Sequence, residues 1–129
     1  EAQKSKFVFQ FKISDLVRYN DGTTDPVGRY IVGTMGYPEV KDNLGKVYSY
    51  HKGHCKILIE NTTISNGLVF AEGSTILYFI DTPTKKVAKY NYDLAKGSAW
   101  TMRACYGLPN GEADGFPSGI QRMEKWLTA

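Results

Sequence analysis

Ile64-Ser-Asn-Gly-Leu-Val-Phe-Ala-Glu-Gly-Ser-Thr-Ile-Leu-Tyr-Phe-Ile-Asp81 sets the period of the chain. It runs from a polar residue and a glycine through a short apolar strand and a turn into a longer apolar strand. Upstream, Tyr19-Asn-Asp-Gly-Thr-Thr-Asp-Pro-Val-Gly-Arg-Tyr-Ile-Val-Gly-Thr-Met35 follows the same plan, and downstream Phe116-Pro-Ser-Gly-Ile-Gln-Arg-Met-Glu-Lys-Trp-Leu-Thr128 follows it more loosely. Aligning Asp21-Gly22, Asn66-Gly67 and Ser118-Gly119 gives spacings of about 45 and about 52 residues, the length of one four-stranded propeller blade. Lys46-Val-Tyr-Ser-Tyr50 and Lys86-Val-Ala-Lys-Tyr-Asn-Tyr92 echo the same period after each strand pair.

Between these landmarks the pattern is that of strands. Lys6-Phe-Val-Phe-Gln-Phe-Lys-Ile13 alternates apolar and polar residues with period 2, as a strand with one buried face does. Arg29-Tyr-Ile-Val-Gly-Thr-Met35 is apolar enough to lie between two neighbours. Gly45-Lys-Val-Tyr-Ser-Tyr50 and Cys55-Lys-Ile-Leu-Ile-Glu60 flank His51-Lys-Gly-His54 as a hairpin with an exposed tip. Asp93-Leu-Ala-Lys-Gly97 turns the chain into a returning edge strand from Ser98 to Cys105, and Asn110-Gly-Glu-Ala-Asp-Gly115 reads as a loop. Asp81 and Asp93 read as caps of turns that follow strands. No segment keeps a 3.6-residue period, so the expectation is an all-β chain with almost no helix.

Composition narrows the function classes. The 129 residues are 42% apolar with a net charge of +3, and Lys85-Lys86 is the tight basic cluster in the middle of the chain. Neither a nucleic-acid motif nor an apolar run of membrane length accompanies it, so nucleic acid and membrane are not expected as partners. Cys55 and Cys105 form no C-x-x-C pair and sit in apolar strand patterns, where a buried free thiol is the usual state. Asn61-Thr-Thr63 matches the glycosylation acceptor pattern, relevant in a secreted protein. The chain opens with Glu1 and shows no secretory h-region, which implies a start that was removed or lies elsewhere. A cytoplasmic location is expected.

In a propeller the inner strand ends of successive blades converge on a central channel, so one repeat position from several blades builds one site. Asp21, Asn66 and Ser118 share such a position, and oxygen donors converging there suit a hard cation. Asn-Gly and Asp-Gly are equally the residues of tight turns. Arg18, just before the first of these positions, carries a fork of donors suited to an anionic or hydroxyl-rich ligand. The chain holds fewer than three blades, whereas propellers close with about four to eight. Blades over residues 18–63 and 64–115 and a partial blade over 116–129 are expected, completed by a longer chain, by other propeller fragments or by further copies.

Arg18-Tyr-Asn-Asp-Gly22, Asp25-Pro-Val-Gly-Arg-Tyr30, Gly33-Thr-Met35, Ile64-Ser-Asn-Gly-Leu68 and Tyr78-Phe-Ile-Asp81 together resemble the gluconolactonase, regucalcin (senescence marker protein) and luciferin-regenerating enzyme family. The resemblance runs from about residue 17 to the end and implies a six-bladed β-propeller of the lactonase type, of which this chain covers about two and a half blades. It further implies a divalent metal (calcium, zinc, magnesium or manganese) and hydrolysis of sugar lactones. On the matching positions, Asn66 and Ser118 fall at metal ligands, while Arg18 and Asn20 fall at residues that contact substrate or a metal-bound water. Glu39 lies near a substrate-touching position. Two departures stand out. The family's metal-binding glutamate belongs to an early blade outside this stretch, and its aspartate in a Pro-Asp-Gly motif is Ser118 of Pro117-Ser-Gly119 here. A hydroxyl in place of a carboxylate weakens metal binding, so the alternative expectation is a non-catalytic or truncated propeller module acting in assembly or ligand binding.

Overall fold

Two runs of alternating apolar residues become two antiparallel four-stranded sheets. The computed structural model describes residues 13–71 and 73–107. The first sheet is β1 (Val17–Thr24), β2 (Tyr30–Gly36), β3 (Gly45–His51) and β4 (His54–Thr62), in that spatial order. The second is β5 (Ser65–Ala71), β6 (Ile76–Asp81), β7 (Lys86–Asp93) and β8 (Ser98–Gly107), again in order. Within each sheet every strand pairs antiparallel with its neighbour in sequence, the meander of a propeller blade. The sole helical turn among the described residues is a 3-10 turn at Thr82–Thr84, and no helix there is long and apolar enough to cross a membrane. Most of the strand expected over residues 6–13, the loop at 110–115 and Ser118 lie outside the described residues.

The core sits between the sheets. Ile31, Val47 and Ile59 of the first face Leu68, Phe70, Leu77, Phe79 and Tyr92 of the second, all buried. Phe70 and Tyr92 meet edge to face with ring centroids 4.7 Å apart, the arrangement favoured by the ring quadrupole. Because side chains alternate along a strand, Ile76, Tyr78 and Ile80 of β6 point away from this core, and with Ala71 and Val87 they form a second buried cluster on the far face. β6 is therefore apolar on both sides, as its unbroken Ile-Leu-Tyr-Phe-Ile run requires.

A buried polar clamp fixes the two sheets against each other. In the turn after β1, Asp25 Oδ1 accepts from the N–H groups of Val27 and Arg29, and Oδ2 accepts from Arg29 Nη1 at 2.9 Å and Tyr92 Oη at 2.7 Å. Arg29 continues across to the other sheet, donating to the carbonyls of Leu94 and Ala95. Burial alone would raise the Asp25 carboxyl, but the hydrogen bonds from Tyr92 and Arg29 outweigh it and hold the group below the usual range. Burial, reinforced by the bond to Asp25, pushes the Tyr92 hydroxyl far above its ordinary value.

Three side chains depart from the sequence reading. Cys55 is exposed, because it lies near the tip of the β3–β4 hairpin on the outermost strand; the Cys105 side chain lies outside the described residues. Asp81 precedes the 3-10 turn without capping it, and its carboxylate instead accepts from the N–H groups of Thr63 and Ile64 between the sheets. His54 at the hairpin tip is exposed as expected, whereas His51 is half-buried.

Candidate functional site

The first strands of the two sheets, β1 and β5, lie side by side. Each carries an irregularity at its Asx-Gly element: the β1–β2 register shifts between Tyr19 and Gly22, and the β5–β6 register between Asn66 and Leu68. Gly67 adopts the left-handed φ of 50° that a bulge of this kind uses. The extra residues turn polar side chains of the two repeats toward each other.

Asn20 Nδ2 donates to the Ser65 carbonyl at 2.9 Å, one residue before Asn66. Asp21 spans the same gap, with Oδ1 accepting from Gly22 N and Oδ2 from Gly67 N, both at 2.9 Å. Asn66 Oδ1 accepts from Gly67 N at 3.2 Å, and its Nδ2 donates to Thr82 Oγ1 at 3.3 Å. Gly33 allows the close approach, because a Cβ there would collide with the Ser65 side chain. Burial, together with the nearby Asp21 charge, raises the Tyr30 hydroxyl, whose ring lies against Gly22.

Asn20 thus bonds the backbone one residue before Asn66, while the Asn66 amide nitrogen bonds Thr82. Arg18 stands two positions before Asn20 on β1; its side chain is exposed, with Nη1 donating to the Tyr19 carbonyl at 3.0 Å and the guanidinium 5.9 Å from the Tyr37 ring centroid. Glu39 is exposed in the β2–β3 loop, 4.0 Å from Lys41, on the loop that also holds Tyr37. Arg18 and Glu39 therefore flank the same loop rather than sitting in the bulge pair.

Tested against a divalent cation, the described residues do not complete a site. Calcium or magnesium takes six or more oxygens from carboxylates, carbonyls and waters, and no cluster of three or more His, Cys, Asp or Glu that could hold a metal occurs among the described residues. The Asp21 oxygens and the Asn66 amide oxygen each accept a backbone N–H, so the bulge pair offers one carboxylate and one amide, fewer anionic donors than such a cation's shell uses. Asp21 itself is the residue the sequence reading placed among cation donors and the structure assigns to joining the two bulges.

The SMP-30/gluconolactonase/LRE-like family model matches residues 3–120. The chain belongs to that family. Regucalcin from Homo sapiens is 37% identical over 108 residues, which is 80% of this chain and 36% of that protein. Regucalcin from Xenopus laevis is 33% identical over the same shares. Among solved structures, a luciferin-regenerating enzyme superposes with a TM-score of 0.63 at 29% identity over 68% of this chain and 30% of its own. A calcium-binding regucalcin from Agrobacterium tumefaciens superposes with a TM-score of 0.63 at 27% identity over 72% and 30%. The fold is thus of the propeller type of these SMP-30/gluconolactonase relatives, and the chain spans about a third of their length.

Proposed function

We propose that the two sheets are part of a propeller that opens sugar lactones by hydrolysis, with Arg18, Asn20 and Glu39 contacting the sugar and Asn66 and Ser118 at the metal position. The observation that supports the reading is the bond from Asn20 to the Ser65 carbonyl, next to Asn66, across adjacent first strands of successive repeats in a chain of the gluconolactonase family. In the reaction, water adds to the lactone carbonyl carbon, the ring C–O bond breaks, and a proton passes to the departing ring oxygen. Arg18 supplies N–H donors for substrate oxygens, since one is used on Tyr19 and a guanidinium carries five. Asn20 holds the strand pair through its amide nitrogen and presents its amide oxygen as an acceptor for a sugar hydroxyl.

A second reading has its own support. Ser118 stands where the resemblance calls for an aspartate, and both carboxylate oxygens of Asp21 bond backbone N–H groups, which supports a non-catalytic or truncated propeller module acting in assembly or ligand binding. A pH-indicator assay of gluconolactone opening, run with calcium, zinc, magnesium or manganese, separates the two. The hydrolase reading predicts a rate above spontaneous opening that Asn66→Ala abolishes. Equal rates for the chain and the variant would leave the non-catalytic module.

A further inference from the structure

Tyr37 is a large aromatic that neither core cluster uses. It stands where the β2–β3 loop meets the residues leading into β1: its backbone N–H donates to the Leu16 carbonyl at 2.9 Å. Gly36 keeps that corner tight, because a Cβ there would collide with the backbone of Glu39 and Lys41. The Tyr37 residue is 56% exposed, and its ring is the one the Arg18 guanidinium approaches. With Leu16, Pro38, Glu39, Lys41 and Leu44 it lines a cavity of about 230 Å³. A half-exposed tyrosine ring with the Arg18 guanidinium over one side, the further donors of that guanidinium, and a carboxylate and an ammonium at the rim are thus gathered at one end of the first strand.

We propose that Tyr37 is a specificity-determining residue, a stacking platform that selects sugars in their ring form. The inference rests on the reading of Arg18 and Asn20 as sugar contacts. A pyranose ring presents on one face a patch of C–H groups carrying slight positive charge, which complements the negative π face of tyrosine. Its hydroxyls lie around the ring edge, within the reach of a donor fork such as that of Arg18. An open-chain sugar acid has no such flat C–H face. The platform therefore adds to the binding of a cyclic lactone a contact that the acid released by hydrolysis does not make.

The test is a saturation-transfer NMR titration of the full chain with anhydroglucitol, a stable ring analogue without the lactone carbonyl, and with gluconate as the open-chain comparison. The proposal predicts binding of the ring compound with transfer concentrated on the C–H groups of one ring face, and no such concentration for gluconate. Tyr37→Phe, which keeps the π face, binds within about twofold of the unaltered chain, whereas Tyr37→Ala and Tyr37→Leu weaken binding about five- to tenfold. Ring binding that Tyr37→Ala leaves unchanged would overturn the platform and leave the lactonase reading intact. No binding of anhydroglucitol by the unaltered chain would also overturn the platform, with the lactone-opening assay deciding the broader reading separately.

Discussion

Asp25 is the residue on which most of the inter-sheet polar contact depends. Its carboxylate accepts four hydrogen bonds, from Val27 N, Arg29 N, Arg29 Nη1 and Tyr92 Oη, while the residue is 4% exposed. Removing one partner of a buried ion pair leaves the other charge uncompensated, so Asp25→Ala is expected to destabilise the fold by about 3–5 kcal/mol in urea denaturation. Tyr92→Phe removes one bond to a charged group and is expected to cost about 1.5–3 kcal/mol. The pH dependence follows from the sign of the shift. The Asp25 carboxyl titrates lower in the folded chain than in the unfolded one, so its contribution is present above about pH 4 and is lost as pH falls through the lower folded value. Urea midpoints should drop on acidification in the unaltered chain, and the Asp25→Asn variant should show a shallower drop. The turn at Asp25-Pro-Val-Gly28 was legible from its residue types. Its partner Tyr92, 67 positions away, was not, because a buried hydroxyl leaves no mark on the local pattern.

At the scale of elements, an apolar run made the central place of β2 readable, alternation the β3–β4 hairpin, and the turn at Asp93–Gly97 the returning edge strand β8. The two bulges were not. Asn66-Gly67 reads equally as a turn and as a bulge, since both use a glycine in the left-handed region, and only the pairing across β5 and β6 distinguishes them. Cys55 shows the complementary limit: an apolar strand pattern does not say which strand is outermost. Gly33 offers a direct check on how tightly the bulges are packed. It lies opposite the β1 bulge, where an added methyl meets Ser65, whose side chain is fully buried and shares a 2.9 Å hydrogen bond with Thr62. Gly33→Ala is therefore expected to destabilise by about 1–3 kcal/mol in thermal or urea unfolding, the usual cost of overpacking.

Across the whole molecule, the repeat of about 45 residues foretold stacked sheets, and the structure supplies them as β1–β4 and β5–β8 with a shared core. What the repeat could not foretell is how the polar residues at its aligned positions divide their work. Asp21 and Asn66 occupy matching places, yet the Asp21 carboxylate reaches across to the other strand while the Asn66 amide oxygen bonds the N–H of its own neighbour, Gly67. That division is the central claim, because the same bonds that hold β1 against β5 bring Asn20 beside Asn66. Amide hydrogen exchange at Gly67, measured with Asn66→Ala as the background so that the weaker acceptor at 3.2 Å is gone, tests it most directly, since it reads the bond from this N–H to Asp21 across the sheets. The account predicts a protected Gly67 amide whose exchange accelerates about tenfold or more in Asp21→Ala. A Gly67 amide that exchanges at the same rate in both chains would contradict it.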